Sequence, residues 1–269
     1  MAFTNGIAFD AELMFGRVER SQRRLQKLTH PVATRLWDIE TVGFDRIPAD
    51  GPAILCPNHI SFLDSAFLML TTERTIGFLG KAEYMDSWKT KHFFPAMGMI
   101  PVDRSGGKNS MDALRAALDV LESGGLMGIF PEGTRSRTGH LYKGRTGAAR
   151  LALSVGCPVV PVGITGTDRI QPPDAPMPSL RGSARIEIGQ PVDPARFVDL
   201  PGPKAARAVT DEVMYEIREL TGQEYRNHYA GEAPVEQRPQ SVPVPPLRQT
   251  AGRVADTVAV DRRQLVGVG

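Results

Sequence analysis

Between residues 37 and 200 the chain alternates short apolar runs with longer mixed stretches. The runs at 38–43, 53–56, 75–80, 99–102, 126–130, 159–164 and 184–188 have the length and residue types of strands. The stretches at 62–70, 84–97, 110–122 and 146–155 lie between them and read as helices, the second of them irregular. Strand and helix in alternation predict an α/β domain with a single, largely parallel sheet and helices on both faces. Pro172, Pro173, Pro176 and Pro178 mark a rigid surface loop ahead of the last strand.

The flanks read differently. In 10–36, Val18, Leu25, Leu28, Val32 and Leu36 recur at mostly three- and four-residue steps, an apolar helical stripe. Arg17, Arg20, Arg23, Arg24, Lys27 and Arg35 make the same segment basic, against Asp10, Glu12 and Glu19. Proline disfavours helix in the residue before it, so His30-Pro31 predicts a break or kink into two helices. Val209, Val213, Ile217 and Leu220 predict a helix over 203–229. The stretch 230–269 has no aromatic residue, carries Pro234, Pro239, Pro243, Pro245 and Pro246, and reads as a disordered tail. The expected organisation is a basic amphipathic segment (1–36), an α/β domain (37–229) and the tail (230–269).

Composition narrows the possibilities. The 269 residues are 41% hydrophobic and 23% charged, which excludes wholesale disorder, collagen and a multi-span membrane protein. Thirty-two basic and 30 acidic side chains leave a net charge of +2, which gives no support to a nucleic-acid partner. Cys56 and Cys157 each precede a proline and form no C-x-x-C pair, so they are expected as buried, reduced thiols of a cytosolic protein. The first residues lack the basic n-region of a secretory signal. The uncharged stretch 151–167 contains Gly156, Pro158, Pro161 and Gly163 and falls short of the roughly 20 apolar residues of a spanning helix. A chain of this kind is soluble or lies on a membrane.

Two loops at strand ends, where α/β sheets bind ligands, carry the chemistry. The first reads Pro57-Asn58-His59-Ile60-Ser61-Phe62-Leu63-Asp64. Side chains five positions apart within one helix point about 140° apart, so His59 and Asp64 meet only if His59 precedes the helix. Ser61 as N-cap, with Asp64 three residues on, supplies that arrangement. Asp64 can then orient one imidazole nitrogen and leave the other as a base. A capping Asp beside an ordinary loop His is the alternative that spacing alone leaves open. A metal site has no third His or Cys ligand nearby.

The second loop, Phe130-Pro131-Glu132-Gly133-Thr134-Arg135-Ser136, puts an acid, a glycine, two hydroxyls and a guanidinium in one turn. Arg135 suits bidentate phosphate binding, Gly133 allows close backbone approach, and Arg137, Lys143, Arg145 and Arg150 make the field positive. A structural Arg–Glu pair is the competing reading for Glu132. No Gly-x-Ser-x-Gly elbow, P-loop or dinucleotide fingerprint is present.

Together these motifs resemble the glycerolipid acyltransferase family, whose best-known bacterial members are 1-acyl-sn-glycerol-3-phosphate acyltransferases. Its His-x-x-x-x-Asp motif falls on His59 and Asp64, and its Glu-Gly-Thr-Arg motif on Glu132, Gly133, Thr134 and Arg135. Intermediate and fourth blocks match Gly98-Met99-Ile100-Pro101-Val102-Asp103-Arg104 and Val159-Val160-Pro161-Val162-Gly163, and Lys81 and Lys143 also look like family positions. The four blocks run in family order from 58 to 163.

The resemblance implies transfer of a fatty acyl group from acyl-CoA or acyl carrier protein to the free hydroxyl of 1-acyl-sn-glycerol 3-phosphate, giving phosphatidic acid. It implies His59 as general base, Asp64 as its orienting partner, and Arg135, Arg104 and Lys81 or Lys143 on the acceptor phosphate. Glu132 is expected to order its loop or bind an acceptor hydroxyl. No metal or cofactor is required, since the thioester enters as co-substrate. The substrate places the enzyme peripherally on the cytoplasmic face of the cell membrane, with the arginines of 10–36 on anionic headgroups and the apolar stripe either dipping into the acyl region or packing on the domain. Other acceptors (another lysophospholipid, glycerol 3-phosphate, an amino-lipid), a non-catalytic lipid-binding module and a hydrolase are the alternatives.

Overall fold

The computed structural model describes residues 11–81, 98–102 and 109–231. Along the chain it has α1 (Ala11–Leu36), β1 (Trp37–Val42), β2 (Ala53–Pro57), α2 (Leu63–Thr71), β3 (Ile76–Lys81) and β4 (Met99–Val102). Then come α3 (Asn109–Glu122), β5 (Leu126–Gly128), β6 (Leu141–Tyr142), α4 (Gly147–Val155), β7 (Val159–Thr165) and α5 (Thr167–Ile170). The last are β8 (Gly182–Ile188), α6 (Gly202–Thr221) and β9 (Tyr225–Arg226). Every predicted strand is present within two residues at either end. The predicted helix over 84–97 and the tail from residue 232 onward lie outside the described residues.

Among the described residues seven strands form one sheet in the order β1-β8-β7-β2-β5-β3-β4, and β6 pairs with β9. β2 is buried at all five positions and β7 at six of seven, as strands covered on both faces must be. Successive side chains of β2 go to opposite faces. Ile54 and Cys56 join one core with Ala117 and Leu121 of α3, Ala149 and Ala152 of α4 and Val209, Val213 and Ile217 of α6. Ala53 and Leu55 join the other with Leu63, Phe67 and Leu68 of α2. Cys56 and Cys157 are free and buried in the first core.

The sheet is mixed at one edge. β7 and β8 pair antiparallel, and β1 pairs parallel with β8, so these two strands run against the other five. Gly182 and Trp37, where β8 and β1 begin, therefore lie at the end where β2 and β7 finish.

Two helix boundaries differ from the sequence expectation. α1 is one helix with Pro31 inside it, not two. Proline removes the hydrogen bond to the carbonyl of Lys27, but Lys27 and Pro31 are both exposed, so water can take that role. The helix expected to run to 229 ends at Thr221, because Gly222 takes the left-handed conformation (φ 66°). Beyond that turn runs a short extended strap, 222–231, containing β9.

α1 docks through amides as much as through apolar side chains. Gln22, fully buried, accepts from the backbone N–H of Ile76 at 3.0 Å and donates to its carbonyl at 3.3 Å, as a neighbouring strand would. Gln26 donates to the carbonyls of Met69 and Thr72 at the end of α2. The predicted apolar stripe divides. Val18 is buried and Leu25 and Leu36 are half-buried, whereas Leu28 and Val32 are 75% and 57% exposed beside the exposed Arg24, Lys27 and Arg35. No helix among the described residues is long and apolar enough to cross a membrane.

Candidate active site

β2 and β5 are hydrogen-bonded neighbours, so the loops at their carboxyl ends lie side by side although 73 residues separate His59 from Glu132. The first loop leaves β2 at Pro57, and α2 begins only at Leu63, so His59 stands ahead of the helix. The expected cap is realised in modified form. Ser61 Oγ accepts from the backbone N–H of Leu63 at 3.3 Å, while Asp64 reaches back to the N–H of Ser61 at 2.8 Å.

That reach puts the Asp64 carboxylate against the imidazole. His59 Nδ1 lies 2.9 Å from Asp64 Oδ2. The same oxygen accepts the backbone N–H of Ile60 at 2.7 Å, and Oδ1 accepts the hydroxyl of Thr167, at the start of α5, at 2.6 Å. Asp64 is fully buried, and these donors fill its acceptor sites. With Nδ1 donating, His59 Nε2 keeps its lone pair, and it has no partner among the described residues. The ring is about one-fifth exposed and lies nearly flat on Phe130, centroids 3.9 Å apart at 21°. One nitrogen is thus held and the other opens outward, the arrangement of an oriented general base.

Glu132 locks the two loops together. Its Oε1 accepts the backbone N–H of His59 at 3.0 Å and its Oε2 that of Tyr142 at 2.9 Å. From the other side, the N–H of Ser136 donates to the His59 carbonyl at 2.7 Å. Both backbone groups of His59 are therefore held by the second motif. Burial pushes the Glu132 carboxyl up to about 8, partly offset by its two backbone hydrogen bonds. Glu132 is fully buried and both of its oxygens are taken by backbone N–H groups, contacts that tie the two loops together.

Arg135 is half-exposed and forms no hydrogen bond or ion pair among the described residues. Gly133 turns the loop at φ 77° and is exposed, as is Thr134. Lys143 lies 5.7 Å from the centre of the Tyr229 ring in the strap, and Arg145 4.8 Å from it. Lys81 is the last residue of β3, at the same end of the sheet. Arg104 lies outside the described residues. Among the described residues no cluster of three His, Cys, Asp or Glu side chains is placed to hold a metal.

Several contributors carry no local signal in the sequence. Thr167 is 103 residues from the carboxylate it donates to. Tyr142 acts through a backbone N–H that any residue but proline would offer. Gln223 joins the strap to the site, accepting from Asn58 Nδ2 at 2.9 Å and donating to the Gly139 carbonyl at 2.7 Å. Asn58 in turn exchanges two hydrogen bonds with the backbone of Ile164 in β7.

Comparison with known proteins gives a consistent set of relatives. Residues 38–165 match the family model described as Acyltransferase. The chain is 30% identical over 157 residues to a chloroplastic 1-acyl-sn-glycerol-3-phosphate acyltransferase of Arabidopsis thaliana, covering 58% of this chain and 44% of that protein. It is 26% identical over 183 residues to the 1-acyl-sn-glycerol-3-phosphate acyltransferase of Bacillus subtilis, covering 68% and 87%. The fold is similar to the crystal structure of the 1-acyl-sn-glycerophosphate acyltransferase PlsC from Thermotoga maritima, with a TM-score of 0.60, 25% identity, and coverage of 78% of this chain and 87% of that one. The chain spans about half the length of the plant relatives it matches, 44% and 52%.

Proposed function

We propose that the protein, whose residues 38–165 match the acyltransferase family model, moves a fatty acyl group from a thioester to the free hydroxyl of 1-acyl-sn-glycerol 3-phosphate. The observation that carries this reading is the Asp64-oriented imidazole of His59, open at Nε2 and held at both backbone groups by the Glu132 loop. His59 Nε2 takes the hydroxyl proton as the oxygen attacks the thioester carbon. A C–O bond forms, the C–S bond breaks, and the thiolate leaves and takes up the proton from the imidazolium. Asp64 stabilises that imidazolium between the two steps. The donor is acyl-CoA or acyl carrier protein. The thioester is already activated, so no further cofactor takes part.

Arg135, beside the base and without a partner among the described residues, is the residue we assign to the acceptor phosphate. Arg104, Lys81 and Lys143 are assigned supporting charges around it, with Gly133 and Thr134 letting the ligand approach. The exposed Leu28 and Val32 among the arginines of α1 support a peripheral position on an anionic membrane, which we assign to the cytoplasmic face of the cell membrane. A panel of acceptors tests the reading. With acyl-CoA as donor, 1-acyl-glycerol 3-phosphate should be used at least tenfold faster than 1-acyl-glycerophosphocholine or monoacylglycerol. Equal use of the neutral monoacylglycerol would remove the phosphate from the account.

A further inference from the structure

We propose that the proline-rich loop 171–181 inserts into an anionic bilayer and, with the last turns of α1, forms a membrane-entry rim around the mouth of the active site. The inference rests on the lipid-acyltransferase reading and adds to it the surface that meets the membrane and the direction in which the site faces.

Topology places the loop. It joins α5 to β8, and β8 begins at the end of the sheet where β2 and β7 finish. Its first residue already touches the catalytic loop, since Ser61 Oγ donates to the Gln171 carbonyl at 2.9 Å. α1 runs from Gln22, bonded to Ile76 at the far end of the sheet, to Trp37 at this end. There Trp37 Nε1 donates to the Ser179 carbonyl at 2.8 Å, which ties the end of α1 to the loop.

The loop is built to hold apolar side chains out in water. Ser179 is pinned on both sides, its N–H to the Ile170 carbonyl at 2.7 Å and its carbonyl to Trp37. Prolines at 172, 173, 176 and 178 fix the backbone between. Met177 and Leu180, flanking that anchor, are 74% and 70% exposed. A rigid loop inserts without first losing conformational entropy. Arg181 at the loop's end and Arg35, two residues before Trp37, are exposed and form no ion pair among the described residues. Asp174, the loop's acid, is offset by Arg137 at 3.4 Å. Two protruding apolar side chains with exposed cations next to them match a headgroup layer over hydrocarbon. With the loop inserted, the exposed part of His59 lies near the bilayer surface, and the acceptor reaches it without passing through water.

Cys56 and Cys157 are both buried, so the variant Leu180→Cys can be labelled selectively on the full chain with an environment-sensitive fluorophore. Tyr215→Cys, on the outer face of α6, provides the reference position. On adding vesicles of phosphatidylglycerol and phosphatidylcholine, the label at 180 should shift to the blue and be quenched by lipids carrying spin labels in their acyl chains, and the label at 215 should do neither. The double variant Met177→Ser, Leu180→Ser should partition onto these vesicles about tenfold or more weakly, from the lost transfer of two large apolar side chains. Its acyl transfer to a short-chain, water-soluble acceptor should be unchanged. A label at 180 that stays in water on vesicle-bound protein overturns the loop's role, leaves the acyltransfer reading standing, and points to a protein partner for Met177 and Leu180. Absence of vesicle binding overturns it as well. Loss of acyl transfer to the soluble acceptor would overturn it by making the loop part of the catalytic fold.

Discussion

Glu132 accepts the backbone N–H of His59 at 3.0 Å, so the carboxyl of one motif holds the main chain of the other. The two motifs form one unit, in which His59 is held through its backbone by Glu132 and through its ring by Asp64. Replacing Glu132 by Ala would leave the N–H groups of His59 and Tyr142 buried without acceptors, at about 1–3 kcal/mol each. Thermal unfolding should register most of that loss, and kcat should fall with it. Glu132→Gln keeps one carbonyl acceptor and should lie between wild type and Ala in both measurements.

Glu132 also gives stability a pH dependence of known sign. In the unfolded chain its carboxyl titrates near 4.5, and in the folded protein burial moves it to about 8. Between those values the folded state holds a proton that the unfolded state has released, so this contribution weakens as pH rises through that window. Glu132→Gln has no such proton. The stability gap between wild type and the Gln variant, measured by denaturant titration, should narrow from about pH 5 to about pH 8 and then stay level. A gap that widens over that range contradicts the assignment.

Asp64→Asn should leave the fold intact and lower kcat on the order of 10³-fold, because a neutral amide can take the place of Oδ2 but lacks the charge that stabilises the imidazolium. Thr167→Val removes only the contact to Oδ1 and should cost roughly tenfold. The ordering of the two variants in steady-state kinetics is the check. A Thr167 variant as slow as the Asp64 variant would give the hydroxyl a larger part than orientation.

Arg135→Ala should raise the KM for the phosphorylated acceptor about 10- to 100-fold and leave that for the acyl donor unchanged, since the side chain has no structural partner to lose among the described residues. The same assay on both substrates separates the two effects. Equal changes would move Arg135 from phosphate recognition to loop structure.

The sheet was legible because its central strands are apolar at nearly every position, the pattern that burial on two faces requires. The direction of β8 was not, because an antiparallel edge strand has the same local pattern as a parallel one. Pro31 misled in the other direction: its position on an exposed face of α1 made the lost hydrogen bond tolerable. The stop at Gly222 had its signal in the sequence, a glycine directly after the last helical residue. At the site, side-chain chemistry at fixed spacing singled out His59, Asp64, Glu132 and Arg135, and the structure brings the first three into one hydrogen-bonded unit. Thr167, Tyr142 and Gln223 were not singled out, since they act across the fold and two of them through groups common to many residues.

The central claim is that His59 is the base that deprotonates the acceptor hydroxyl. Single-turnover transfer from a radiolabelled acyl-CoA to 1-acyl-glycerol 3-phosphate, with wild type and His59→Ala at matched circular dichroism, tests it most directly. The account predicts a fall in the transfer rate of about 10²–10⁴-fold with acceptor binding retained. Transfer by the Ala variant at the wild-type rate would contradict it.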